Sequence, residues 1–463
     1  MWGIELNRES ELPLKRQLYN TLRKMMVTGR LPSGEAMLST REMAKALGIS
    51  RNTVSETYEM LTAEGFLICR QGAATRVAED IGVEEHPAVP RDDAPPKQPV
   101  SVNFRTGRPD LRLFPRYLWQ QLLHKAAQEL DLDTYGYTGP QGLPALRSEI
   151  AAWLFRSRGL TLDPQDIFIT AGATHGLHLI ADLLCRNGRK ILIEDPCHSG
   201  MLQTFINKGC PVIPITADGH GMMTQLLTDA ADIGAVYVTP SHQFPLGGIL
   251  PASRRAALIR FARENGAYII EDDYDSEFRY GGEPVAPLCA LDHQRVIYVG
   301  TFSKVLFPAL RIGYAVLPRA LQKQWRNLRT HTDVQNPSFE QAALAEMLRN
   351  RKLDRHVQKM RKIYGQRRKA LLECLDESFG TNWSALGDAA GLHIAIDFPG
   401  RCFDDAFRER CRHNGIYVTP VETHCIQKGT HQSMLLLGYG HLGPEEIRSG
   451  IQALRKLIND RPL

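Results

Sequence analysis

No stretch of this 463-residue chain approaches the roughly 20 consecutive apolar residues that a membrane span requires. Its opening, Met-Trp-Gly-Ile-Glu-Leu-Asn-Arg, lacks the apolar core of a signal peptide, so a cytoplasmic protein with no membrane partner is expected. The nine cysteines are scattered without one Cys-x-x-Cys pair, which argues against a disulfide framework or a cysteine zinc site and leaves reduced thiols. No metal is expected. Strong charge is lacking too: 56 Lys+Arg against 51 Asp+Glu give +5, which permits nucleic-acid binding without arguing for it. What the chain has is length. With 43% hydrophobic and 23% charged residues it is ordinary globular material, too long for one core, and two or three domains are expected.

The sharpest composition break runs from Glu79 to Ser101, EDIGVEEHPAVPRDDAPPKQPVS, where prolines and charges replace periodic apolar residues. It reads as an extended linker, residues 79–101, between a unit at 1–78 and another at 102–463. In the first unit Leu14, Leu18, Leu22 and Met25 recur at helical spacing. A second helix runs to Leu47 with Ser39 or Thr40 as N-cap and Gly48 as its stop, and a third opens at Ser50 and runs to about Glu64. Phe66–Arg70 and Thr75–Ala78 read as two strands joined by Gln71-Gly72-Ala73-Ala74. Two helices joined at a glycine turn, the second opening Ser50-Arg51-Asn52-Thr53, form a helix-turn-helix pattern whose helix start meets phosphates or base edges. Spacing alone leaves an αα-hairpin, in which Ser50 is merely a cap, as an equal reading. Residues 12–78 resemble the GntR-type winged helix over nearly their whole length. The resemblance implies a double-stranded DNA operator as partner, with Arg41, Ser50, Arg51 and Thr53 at the contact and Arg70, Gln71 and Gly72 in or beside the wing. An ordinary surface charge is the alternative for Arg41.

Beyond the linker, short apolar runs at Ile167–Thr170, Lys190–Ile193, Pro211–Pro214, Ala235–Val238, Tyr268–Glu271 and Arg295–Val299 alternate with helical segments. The alternation predicts an α/β domain with a mostly parallel sheet covered by helices on both faces. One long amphipathic helix is expected from about Ser338 to Leu372. It leads into a smaller C-terminal α+β unit, about 338–463, with strands near Leu392–Asp397 and Ser433–Leu437.

The polar turn after Val296–Val299 puts Lys304 at the carboxyl end of a strand, where α/β sheets present ligands. An amine needs desolvation and neighbouring charge to form and keep a Schiff base with an aldehyde, and Ser303 and Arg311 offer partners for a nearby phosphate. The run GTFSKVLFPALRIGY, Gly300–Tyr314, resembles the pyridoxal 5′-phosphate segment of fold-type I aminotransferases. Six segments between Val102 and Leu463 share this resemblance in the same order, and together with the winged helix they resemble the MocR/GabR type of transcriptional regulator. The resemblance implies that Lys304 carries the cofactor, that Asp272 pairs with its pyridinium nitrogen and that Tyr274 bonds its phenolic oxygen. Asp272 read alone fits a cap after its strand equally well. Ala173 and Thr174, in a strand-to-helix loop, would hold the phosphate with Ser303 and Arg311. Tyr135-Gly136-Tyr137-Thr138-Gly139-Pro140 resembles the segment that aminotransferases lend to a neighbouring active site, implying a head-to-tail, domain-swapped homodimer. Plain turn and core aromatics are the alternative there.

Three positions depart from the pattern. His198 stands where the family has a tyrosine stacked on the pyridine ring, and its charge is expected to change near neutral pH. Phe244 replaces the asparagine before Pro-x-Gly; His242 is the candidate to take over its contact, a buried structural histidine being the alternative. Leu436 stands where aminotransferases carry the arginine that forks onto a substrate carboxylate. The expected protein is therefore a regulator that senses a small amine, amino acid, dipeptide or the cofactor itself, without catalytic residues for turnover. The alternatives are an active aminotransferase with an appended DNA-binding domain and a cofactor-free dimerisation scaffold.

Overall fold

The computed structural model describes residues 2–70, 72–79, 81, 100–227, 231–281, 285–387 and 390–459. The chain divides into two compact units, Met1–Pro96 and Lys97–Leu463. Residues 80 and 82–99, most of the expected linker, lie outside the described residues, as does Gln71.

The first unit holds α1 (Leu14–Val27), α2 (Thr40–Leu47) and α3 (Arg51–Ala63), followed by a two-stranded antiparallel wing, β1 (Leu67–Ile68) and β2 (Arg76–Val77). Leu18, Leu22, Val54 and Leu61 are fully buried against one another, as the helical spacing requires. Ser39 settles the choice of cap for α2. Its side chain accepts from the Glu42 N–H while Glu42 returns a bond to the Ser39 N–H at 3.0 Å, a reciprocal capping box. Gly48 ends the helix in the left-handed conformation at φ 64.

In the second unit a short strand, β3 (Val102–Asn103), precedes an eight-stranded sheet. That sheet comprises β4 (Ile167–Thr170), β5 (Lys190–Asp195), β6 (Val212–Asp218), β7 (Gly221–Met222), β8 (Ile233–Val238), β9 (Tyr268–Asp273), β10 (Val296–Thr301) and β11 (Gly313–Val316). Their order is β4-β11-β10-β9-β8-β5-β6-β7; the pairings from β10 through to β6 are parallel, whereas β11 and β7 run antiparallel to their neighbours. Successive residues sort to opposite faces: Val236 and Val238 join one buried cluster, Ala235 and Tyr237 the other. The sheet is buried on both faces, as parallel sheets are.

The expected single helix over Ser338–Leu372 is two, Ser338–Arg349 and Lys352–Phe379. Arg351 between them adopts φ 54, a left-handed conformation that no helix continues through. The C-terminal part adds an antiparallel sheet, β12 (Ser384–Leu386), β13 (His393–Asp397), β15 (Thr419–Pro420) and β16 (Met434–Gly438), while β14 (Ile416–Tyr417) pairs with β3. Gly391, ahead of β13, has φ 83, and a Cβ there would lie 2.1 Å from His242 Cε1 and 2.6 Å from Asp275 Oδ2. Its carbonyl accepts from the Tyr280 and Tyr439 hydroxyls, each at 2.7 Å. Among the described residues no helix is long and apolar enough to cross a membrane.

Candidate functional site

The strands β4, β5, β8, β9 and β10 all end at one cavity of about 270 Å³, lined among others by Ala173, Thr174, His198, Tyr237, Phe244, Asp272, Tyr274, Ser303, Lys304 and Arg311. A pocket at the carboxyl ends of the strands is where an α/β sheet can aim polar groups without breaking its ladder. Lys304 follows β10, and its Nζ donates to the Gly107 carbonyl at 2.9 Å. Burial lowers its pKa against the opposing charges of Asp275 and Asp272. Asp272, the penultimate residue of β9, is buried; its Oδ2 accepts from the Tyr237 hydroxyl at 2.7 Å, while Oδ1 has no partner among the described residues. Burial raises its pKa to about 6, opposed by the Tyr237 bond.

Gly172, at φ 85, caps the helix Ala173–Leu184. A Cβ there would sit 3.0 Å from the Arg311 guanidinium, which also donates to the Ala171 carbonyl, so only glycine leaves this loop open at the helix start. Ser303 bonds Thr301, and both line the same side of the cavity. The phosphate-type residues expected from the sequence, Ala173, Thr174, Ser303 and Arg311, therefore meet.

Two expectations need correction. His198 does reach the cavity, but burial, with the charge of Lys304 adding to it, brings its pKa down to about 4. It stays neutral near pH 7 and is no switch there. His242 does not line the cavity: its Nδ1 faces Asp275 at 2.9 Å, and the Tyr274 hydroxyl donates to its carbonyl at 3.1 Å. The carboxylate accepts, so the Nδ1 proton points to Asp275, and His242 supports Tyr274 from behind. His393 joins this buried group, with ligand-type atoms of His242, Asp275 and His393 all within 4.8 Å of one another.

Phe244, itself buried, lines the cavity instead, with ring centroids 4.9 Å from His198, 5.1 Å from His393 and 5.0 Å from His424. Leu436 is fully buried in a cluster with Phe244, Leu246, Ala395, Val421 and Cys425 and does not reach the cavity. Tyr237, Thr106, Gly107 and His393 were not anticipated. Tyr135 and Tyr137 are 54% and 89% exposed, rather than core aromatics.

At the other end of the chain Arg41, Ser50, Arg51, Arg70 and Gly72 are exposed and Thr53 is half-buried. Ser50 is committed as the α3 cap, accepting from the Thr53 N–H at 3.1 Å and lying 2.8 Å from the Thr53 hydroxyl. Arg51 Nε donates to the Thr40 hydroxyl at 3.3 Å, and among the described residues its terminal nitrogens make no hydrogen bond.

The family model of bacterial regulatory proteins, gntR family, matches residues 14–77, and that of aminotransferase class I and II matches 110–452. The probable rhizopine catabolism regulatory protein MocR of Rhizobium meliloti is 31% identical, over 98% of this chain and 95% of that protein. The chain belongs to the MocR-type regulators. A second relative of this type, the HTH-type pyridoxine biosynthesis transcriptional regulator PdxR of Corynebacterium glutamicum, is 32% identical over 85% of each chain. Kynurenine aminotransferase of Pyrococcus horikoshii superposes with a TM-score of 0.72 at 27% identity, over 78% of this chain and 91% of its own. The aminotransferase family model thus falls within the second unit, while the match to the MocR relative takes in nearly the whole chain.

Pyridoxal 5′-phosphate fits these residues. The orphaned Asp272 Oδ1 is a buried acceptor that a protonated pyridine nitrogen would satisfy, and an acceptor left so would cost about 1–3 kcal/mol. The open Gly172 loop offers N–H groups and Arg311 to a phosphate, and Lys304 offers the amine.

Proposed function

We propose that this MocR-type regulator controls transcription by sensing a small amine-bearing effector through pyridoxal 5′-phosphate held at Lys304. The observation that carries the reading is the unpartnered Asp272 Oδ1 in the cavity that also holds Lys304 and the Gly172 loop. When bound, the cofactor supplies an electrophilic carbon and an electron-withdrawing ring. Asp272 keeps a proton at the ring nitrogen, and Tyr237 fixes its carboxylate. Ala173, Thr174, Ser303 and Arg311 anchor the phosphate; Tyr274, steadied by His242 and Asp275, faces the phenolic oxygen. Lys304, its pKa lowered by burial, supplies an amine more readily unprotonated than a surface lysine. His198 and Phe244 form an uncharged aromatic wall against the ring.

Sensing is favoured over turnover because Leu436 lies buried behind that wall and no arginine enters from β16 to clamp a carboxylate. Arg41, Arg51, Thr53, Arg70 and the segment at Gln71–Gly72 serve the DNA contact, with Ser50 acting through its cap. The assembly is a head-to-tail homodimer, supported by the exposed aromatic segment at Tyr135–Tyr137. Purified protein should carry a visible chromophore that Lys304→Ala abolishes, and a fluorescent duplex from upstream of its own gene should bind with an affinity that changes when amines are added. Failure to take up the cofactor would overturn the reading. Sustained keto-acid formation would instead favour an aminotransferase with an appended DNA-binding domain.

A further inference from the structure

With Leu436 withdrawn into the core, the cavity retains two lining cations, Lys304 and Arg311, and the proposed function commits both to the cofactor. An effector held only by its amine would be poorly oriented, since a single attachment leaves rotation free. Two arginines, Arg105 and Arg108, flank the lining residues Thr106 and Gly107, and of the two it is Arg105 that stacks on Tyr417 and whose charge reaches Lys304 and His198. The Arg105 backbone is clamped. The Phe104 N–H donates to the Tyr417 carbonyl at 2.9 Å, and the Gly438 N–H donates to the Phe104 carbonyl at 2.8 Å. Gly438 presses so closely that a Cβ there would lie 2.3 Å from the Arg105 carbonyl oxygen.

Gly438 is two residues beyond Leu436 on β16, so the segment bearing Arg105 lies alongside the strand that has lost its cation. The Arg105 guanidinium sits 6.0 Å over the Tyr417 ring and has no carboxylate partner among the described residues. Stacking on an aromatic face leaves the planar donor edge of an arginine available for a two-pronged bond to an oxyanion. Its positive charge is felt inside the cavity, where it contributes to lowering the pKa of both Lys304 and His198.

We propose that Arg105 anchors the far end of the effector, which is therefore an amine carrying a carboxylate or comparable oxyanion rather than a simple amine. The anchor has moved from β16 to the neighbouring segment and approaches from the side of Thr106 and Gly107. This inference rests on the proposed function, and the test separates the two. The probes are the straight-chain amino acids from glycine to aminohexanoate and the matching alkylamines, titrated into the full-length protein loaded with pyridoxal 5′-phosphate. Binding is read from the visible spectrum per mole of bound cofactor, and DNA affinity is measured alongside. At least one amino acid should bind about tenfold or more tightly than its amine. Arg105→Gln should erase that preference and Arg105→Lys should keep part of it, because lysine retains the charge without the fork. Equal binding of acid and amine, a preference that survives Arg105→Gln, or no spectral response to any probe would overturn the inference while cofactor uptake leaves the parent reading standing. If the cofactor itself does not bind, both fall.

Discussion

Replacing His198 with phenylalanine tests whether the wall against the cofactor ring is electrically silent. His198 lies against Phe244 and its pKa is held down to about 4 from 6.5, by burial first and by the charge of Lys304 second. A base with a lower pKa in the folded state takes up its proton more readily when the chain unfolds. The stability it allows is therefore whole above pH 6.5 and is lost as pH falls toward 4. For those two values the loss at pH of about 5 is roughly 2 kcal/mol, approaching ~3 kcal/mol below pH 4. Residual exposure of the ring reduces this to about 1–2 kcal/mol at pH 5. Buried carboxyl groups pull the other way: Asp272 and Glu194, raised to about 6 and about 7, favour the folded state as pH falls. Both are present in either protein and cancel in the difference. Urea unfolding of the aminotransferase-like unit, followed from pH of about 7.5 down to 5, should thus show His198→Phe gaining about 1–2 kcal/mol relative to the parent. The ring-proton resonances of His198 should show no titration midpoint between about pH 5.5 and 8. A midpoint near 6.5, or parallel stability curves, would refute the argument.

Borohydride reduction followed by peptide mapping should place the cofactor on Lys304; label on another lysine, or none, counts against the assignment. Gly172→Ala should lower cofactor content, since its Cβ would meet the Arg311 guanidinium at 3.0 Å from a backbone at φ 85; unchanged content after purification would reject the Gly172 loop as the phosphate site. Arg51→Ala should weaken operator binding by about 1–3 kcal/mol and relax selectivity while leaving the fold intact, as measured by anisotropy against matched and mismatched duplexes. Binding throughout should weaken as salt rises. Amino transfer to a keto acid should be absent or far slower than about 1 s⁻¹, because Leu436 leaves β16 without the arginine that sets an aminotransferase substrate's pose, and an anchor at Arg105 would hold the carboxylate from a different side; turnover at or above that rate would make this an enzyme first.

The motif-bearing strands were legible because each is a short apolar run bounded by turns, and because Lys304, Asp272 and Thr174 all fall at or just beyond strand ends. What stayed hidden had specific physical causes. The apolar periodicity continues across Asn350 and Arg351, so nothing in the pattern marks the break, which depends on a left-handed arginine where glycine is usual. The strand Gly313–Val316 overlaps the end of the lysine motif and is too short to show a period. Tyr237 sits in Ala235–Val238, where burial on both faces erases the alternation that would have set it apart as the partner of Asp272. Gly107 lies 197 residues from Lys304 in sequence, and no local signal reports so long a closure. The pH response expected of His198 failed because burial, invisible in sequence, outweighs the intrinsic pKa of imidazole.

Gly391 joins the His242–Asp275 pair behind Tyr274 to the C-terminal sheet without slack. Two tyrosine hydroxyls hold its carbonyl, and His242 and Asp275 fill the space a side chain would take. Packed interiors yield by whole-body displacement and not by gradual deformation. A ligand that pushes on Tyr274 therefore pushes, through His242, on β13, the strand that begins at His393. A shift of that phenol is thus passed on at the joint and not absorbed by it.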